Sequence, residues 1–301
     1  MEYPKYWQNT AGEFRSVVEV DCQSIVFSGM QSLLDRTFKR FPDGRAWSTR
    51  DRRGSGHPVS FKLCQVQRIE DSGLWWQYHR RRWQINSHRG YGIDCIPLLF
   101  MEGSGSPKTT SEKSEVLSHL DELNNEHYLF HGTSPEAAAS ISEQGFRLDL
   151  AGAFAGTAFG PGSYLAESST KSDEYARAGT DGMYAILVCR AVCGKFARTE
   201  DFVWESDEAK ALAEEVAEGE KYDFLLGDRE AKSHTYREFI AYSSSAIYPE
   251  YILGYKHVTH AGIDGHWINH KHDKGEFSVK WDPNRPDESY AVEITNCGAQ
   301  L

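Results

Sequence analysis

The sequence predicts an α+β protein with antiparallel sheets. Three observations carry that prediction. Strand-like runs cluster in the C-terminal half without helices at regular intervals between them, which argues against a doubly wound parallel sheet. GMYAILVCRAVCGKF (182–196) is a long β-branched run. YREFIAYSSSAIYPEYILGYK (236–256) reads as two strands around a serine-rich turn, with Pro249 at the start of the second.

The remaining elements follow in chain order. VDCQSIVFSGMQSLLDRTF (20–38) has apolar residues at helical spacing. VSFKLCQVQRI (59–69) alternates as a strand does, with Phe61, Leu63 and Gln65 on one face and Lys62, Cys64 and Val66 on the other. GLWWQYHRRRWQI (73–85) reads as a helix, and HYLFHGT (127–133) as a short apolar strand ending in a polar turn. SPEAAASISEQGF (134–146) has the marks of a helix: Ser134 as N-cap, Pro135 at the first position, Gly145 as stop. SYLA (163–166) is a short strand after two glycines. ESDEAKALAEEVAEGEK (205–221) is an acidic helix with a solvated face.

The 301 residues, 40% hydrophobic and 13% aromatic, have a globular composition with enough material for a sizeable core. The turn-rich stretches 48–58 and 103–108 and the polar run after Lys256 divide the chain. An N-terminal extension covers 1–58, a main domain 59–256 and a His-rich tail 257–301. The formal net charge of -11 argues against nonspecific nucleic-acid binding, which draws its affinity from cations on phosphates. The basic stretches TRDRRGSG and HRRRW read as solvated faces.

No apolar run approaches the roughly 18 residues of a membrane span, and MEYPKYWQNT lacks the pattern of a secretory signal. Its aromatic residues are expected to pack on the main domain. The six cysteines are scattered, with only Cys189 and Cys193 close, both expected on one buried strand face. No CxxC or HxxxH spacing occurs, and His260, His266, His270 and His272 are unevenly placed, so no metal site is expected. The reading is of a soluble intracellular protein, cytoplasmic or nuclear, with reduced thiols.

The glycines of FGPGSYLAESSTKSDEYA (159–176) invite comparison with a dinucleotide loop. A third glycine is missing, and a strand rather than a helix follows. The neighbours are more informative. Gly132, in LFHGT, allows close approach to the backbone. His131 is a hydrogen-bonding group at neutral pH, and Tyr164 and Tyr175 offer aromatic faces to a flat heterocycle. Ser172 adds a small hydroxyl. Glu238 is a carboxylate within an apolar strand pattern; by itself it reads as solvent-facing.

Taken together, LFHGT, FGPGSYLAESSTKSDEY and YREFIAYSSSAIYPEYILGY resemble three blocks of the diphtheria-toxin-like ADP-ribosyltransferases, in the poly(ADP-ribose) polymerase branch. FKLCQVQRIEDSGLWWQYHRRR also resembles the opening of that catalytic domain, so the resemblance covers residues 59 to 256. It implies the ADP-ribosyltransferase fold, two packed, mainly antiparallel sheets with flanking helices, with NAD as co-substrate, protein acceptors and no metal. It also implies roles. His131 would bond the adenine-side ribose, with Thr133 as a further ribose contact and Arg147 near the adenosine end. The Gly132 backbone and the Ser172 hydroxyl would hold the nicotinamide carboxamide. Tyr164 and Tyr175 would flank the nicotinamide ring, and Glu238 would be the catalytic glutamate, completing a His131–Tyr164–Glu238 set.

Lys171 is expected to be an ordinary exposed lysine, with orientation of Glu238 as the alternative. Residues 199–235 would form a long acidic loop at the acceptor site, and Thr157 stands where relatives carry an aromatic residue over the cofactor. The 60 residues before Phe61 are too few for the helical regulatory domain of some members, and the Cys/His cluster of a zinc-bearing subgroup is missing. Glu238 keeps polymer formation open without fixing product length. Mono-transfer, NAD hydrolysis, an inactive NAD- or ADP-ribose-binding module and an RNA acceptor are the alternatives; the negative charge disfavours the last.

Overall fold

The structure, a computed structural model, describes residues 2–41, 44–48, 57–90, 95, 105–109, 117, 120–150 and 158–259. Nine strands are hydrogen-bonded in the order β1-β2-β9-β5-β3-β4-β8-β7-β6. The strands are β1 (Arg15–Glu19), β2 (Ser60–Asp71), β3 (Glu126–Thr133), β4 (Ser163–Ala166), β5 (Tyr184–Val192), β6 (Phe196–Thr199), β7 (Phe224–Asp228), β8 (Arg237–Ala241) and β9 (Ile247–Val258). Every neighbouring pair is antiparallel except β6–β7. The α+β class and its antiparallel character are therefore as the sequence indicates.

One continuous sheet thus stands where two packed sheets were expected, and its two halves meet at a narrow seam. β3 shares eight registered pairs with β5, from Glu126↔Val192 to Thr133↔Ala185, but only Phe130↔Ala166 with β4. A core cluster draws on both sides of the seam, with Leu129, Leu187 and Cys189 from one half and Leu165, Leu226 and Phe239 from the other. Each such buried leucine or phenylalanine side chain stabilises the fold by roughly 1.5–3 kcal/mol. The halves are thus held by packing where the ladder is thinnest.

Helices close the remaining faces. α1 (Ile25–Arg36) is capped by Ser24 and buries Met30, Leu33 and Leu34, spaced i, i+3 and i+4, against the outer face of β2 and β9. α2 (Ser72–His88) places Trp75, Tyr78 and Ile85 in the central core. In α3 (Pro135–Gln144) the Ser134 hydroxyl accepts from the Ala137 amide, and Gly145 ends the helix at φ +72°. α4 (Ser169–Asp173), α5 (Asp207–Glu218) and α6 (Arg229–Ser233) follow. The N-terminal aromatics pack as expected: Trp7 is buried, stacked on Tyr3 at 5.6 Å and close to Trp75 at 5.3 Å. Cys189 and Cys193 are both buried.

Three expectations are corrected. A β-bulge between Leu63 and Gln65 inserts Cys64 as an extra residue, and the alternation changes phase there. Val66 consequently joins Phe61 and Leu63 in the core, while Cys64 is exposed. Residues 199–235 are not a loop, because they contain α5, β7 and α6. The HRRRW stretch is only partly solvated: Arg81 pairs with Asp223 at 3.0 Å and Arg82 approaches Glu126 at 3.8 Å. The TRDRRGSG basic residues at 49–56, Thr157 and the four tail histidines lie outside the described residues.

Candidate active site

Past Phe130↔Ala166 the strands β3 and β4 diverge, and the site is built in the gap. His131, the next residue on β3, bridges it with its imidazole. Its Nδ1 lies 2.9 Å from the Tyr164 carbonyl oxygen. A carbonyl only accepts, so Nδ1 carries the proton and Nε2 presents a lone pair in the neutral ring. Burial lowers the pKa of His131, against the opposing effect of the Tyr164 contact, and so favours that neutral form. Phe146 packs edge-on against the ring at 5.1 Å and fixes its plane.

Gly132 is a glycine for a steric reason. A Cβ there would lie 1.7 Å from the Ser172 carbonyl oxygen, so only a bare Cα lets α4 rest on β3. This contact brings Ser172 beside the His131–Gly132 backbone. The Ser172 hydroxyl is buried and has no hydrogen-bond partner among the described residues. An unpaired buried hydroxyl costs stability unless something else engages it.

Tyr164 is fixed by the bend that precedes it. Gly160 adopts φ +88°, a left-handed conformation open to glycine. The Tyr164 hydroxyl donates to the Gly160 carbonyl and accepts from the Phe159 amide, both at 2.8 Å. The bend therefore orients the ring, as expected of a glycine turn rather than a phosphate loop. Burial holds the phenol well above its ordinary pKa range, and Glu238 and Tyr175 nearby add to the rise. Tyr175 follows α4, its amide donating to the Ser172 carbonyl at 3.1 Å.

Glu238 lies on β8 opposite Ala166 of β4 and Gly227 of β7. It is 7% exposed, so the solvent-facing reading fails: two flanking strands and α4 enclose it. Lys171 is corrected in the same way. It is 6% exposed, with its ammonium 3.4 Å from Glu238 Oε1 and 3.0 Å from Glu174 Oε2. The Tyr175 and Tyr236 rings cover it at 5.1 and 5.8 Å. Burial alone would depress this lysine, but Glu238 and Glu174 outweigh it and keep the ammonium charged.

The fold thus gathers His131, Gly132, Tyr164, Ser172, Tyr175 and Glu238 around one seam. Thr133 ends β3, its carbonyl accepting from the Arg177 amide. Arg147 stands apart: it follows Phe146, its side chain is half exposed, and Asp149 holds it in an ion pair. Glu174 is a member of the site that the sequence reading passed over. Its signal was the i, i+3 spacing from Lys171 on a helical segment. Among the described residues, no group of three or more His, Cys, Asp or Glu is placed to hold a metal ion. No helix among them is long and apolar enough to cross a membrane.

The family model described as the poly(ADP-ribose) polymerase catalytic domain matches residues 47–257. The chain belongs to that family, a class of NAD-dependent ADP-ribosyltransferases. It is 34% identical over 128 residues, 41% of its length, to a poly [ADP-ribose] polymerase tankyrase of Caenorhabditis elegans. It is 24% identical over 192 residues, 64% of its length, to the protein mono-ADP-ribosyltransferase PARP12 of Mus musculus. Against the Homo sapiens protein of the same name it is 29% identical over 131 residues, 43% of its length. The matches span 5%, 21% and 17% of those relatives' own lengths, respectively.

Proposed function

We propose that this protein cleaves the bond between nicotinamide and ribose in NAD and transfers ADP-ribose to a protein acceptor. The observation that carries the reading is the buried Glu238 carboxylate on the strand beside Tyr164, paired with Lys171. Cleavage builds positive charge on the ribosyl carbon as neutral nicotinamide departs, as in glycoside hydrolysis. A carboxylate already in place, in a site shielded from water, stabilises that charge without reorganising.

The other residues supply position. Tyr164 and Tyr175 flank the pyridinium ring, the Gly132 backbone and Ser172 hydroxyl take its carboxamide, and His131 takes the adenine-side ribose through Nε2. Thr133 is a further ribose contact and Arg147 reaches the adenosine end. The unpartnered Ser172 hydroxyl and the close contact of Gly132 with α4 fit this assignment. The acceptor gives up a proton, so the products are ADP-ribosyl protein, nicotinamide and H⁺. Glu238 would also serve as base toward an incoming ribose hydroxyl, which keeps chain elongation within the chemistry. α5, with Asp207 and Glu208 in its first turn, packs against the Phe159–Tyr164 bend, and this acidic helix favours short products over a growing polyanion.

The test is incubation of the purified protein with NAD labelled in the adenylate. A single labelled protein band means mono-transfer, and a ladder means elongation. Free ADP-ribose alone assigns the site to NAD hydrolysis. NAD binding without turnover makes it a binding module.

A further inference from the structure

Lys171 sits between two carboxylates, and the geometry divides it unequally. The 3.0 Å contact to Glu174 Oε2 is a hydrogen bond, whereas the contact to Glu238 Oε1 is a longer ion pair at 3.4 Å. Glu174 has a fully buried side chain, and its other oxygen accepts from the Ser48 hydroxyl at 3.1 Å. Ser48 belongs to a segment preceding β2 that grips α4 at several points. The Thr37 carbonyl accepts from the Ser169 amide at 3.2 Å and from the Ser168 hydroxyl at 2.7 Å. The Ser169 hydroxyl donates to the Leu34 carbonyl at 2.8 Å, and the Lys39 amide donates to the Thr170 hydroxyl at 3.3 Å.

One ammonium facing two carboxylates leaves this trio with a net negative charge. Remove Glu174, and Glu238 is the one carboxylate left beside Lys171 among the described residues. The pair is then neutral, and its field at a developing ribosyl cation largely cancels. We infer that Glu174, braced by Ser48, is a positioning residue that draws Lys171 toward itself and so keeps the charge of Glu238 available for catalysis. This inference rests on the NAD-cleaving reading of the site. It assigns to Ser48 a role in setting the electrostatics of the reaction, beyond packing on α4.

The test measures nicotinamide release with full-length wild type, Glu174→Gln, Ser48→Ala, Lys171→Met and the double variant Glu174→Gln/Lys171→Met, each first checked by thermal unfolding. Glu174→Gln is expected to lower kcat about tenfold while KM for NAD stays within about twofold, the split of an interaction felt only at the transition state. Ser48→Ala is expected to move kcat the same way by about threefold, and it carries the test alone should Glu174→Gln not fold. The double variant is expected to recover part of the Glu174→Gln loss, because it also removes the misplaced ammonium. Unchanged kcat in the single variants overturns the inference, as do additive losses in the double variant or a rise in KM matching the fall in kcat. A wild type without NAD cleavage overturns the parent reading instead.

Discussion

The Lys171 ammonium lies 3.4 Å from the Glu238 carboxylate, both side chains less than a tenth exposed, one on a five-residue helix and the other on a central strand. Each charge lowers the cost of burying the other. The pair therefore ties α4 to β8 across the seam at which β3 and β4 separate. The reaction proposed for this site requires negative charge to be already present at that seam.

Glu238→Gln keeps the shape and removes the charge. It is expected to reduce kcat for nicotinamide release by about 10²–10³-fold, the scale of losing one preorganised electrostatic contact. Calorimetric titration with NAD should give a Kd within about threefold of wild type, because the ring and carboxamide contacts are untouched.

Ser172→Ala separates a ligand group from a structural one. Its hydroxyl has no partner among the described residues, so the midpoint of thermal unfolding should hold or rise slightly. A lost hydrogen bond of roughly 0.5–1.5 kcal/mol should raise KM for NAD about 3–10-fold.

Gly132→Ala tests the contact that seats α4. The added methyl meets backbone at 1.7 Å, and backbone cannot swing aside as a side-chain tip does. Urea unfolding is expected to show a loss of about 1–3 kcal/mol or more, with an unchanged m-value and with NAD binding lost in the folded fraction.

Acid should destabilise the fold through its buried histidines. Burial lowers His127 and His79 to about 4 from an ordinary 6.5. A depressed folded-state value means that the unfolded chain takes up protons first. The stability these groups contribute is full above about 6.5, declines as pH falls and levels off below about 4. Denaturant midpoints measured across that window should fall on the acid side, and His127→Gln should flatten the slope.

The elements that were legible in the sequence are those whose signal is local. α3 carries its own start and stop in Ser134, Pro135 and Gly145, and β4 follows from two glycines before the short run SYLA. His131, Tyr164, Ser172, Tyr175 and Glu238 were legible as a group because they fall in three quotable blocks. Elements that depend on a partner strand or on distant residues were not. The bulge at Cys64 is set by the register against β9, so simple alternation put Val66 on the wrong face. The burial of Lys171 follows from Glu238, 67 positions away, and from Tyr236, neither of which its neighbours in sequence reveal. Ser48 reaches Glu174 across 126 positions, and a hydroxyl in a turn-rich stretch carries no mark of such a partner.

The most direct measurement is a crystal structure of the protein with a non-hydrolysable NAD analogue. The nicotinamide ring is expected between Tyr164 and Tyr175, its carboxamide at the Gly132 backbone and Ser172 Oγ, and Glu238 against the ribose bonded to that ring. A nicotinamide ring bound away from these tyrosines, or a Glu238 carboxylate out of contact with that ribose, would contradict this arrangement.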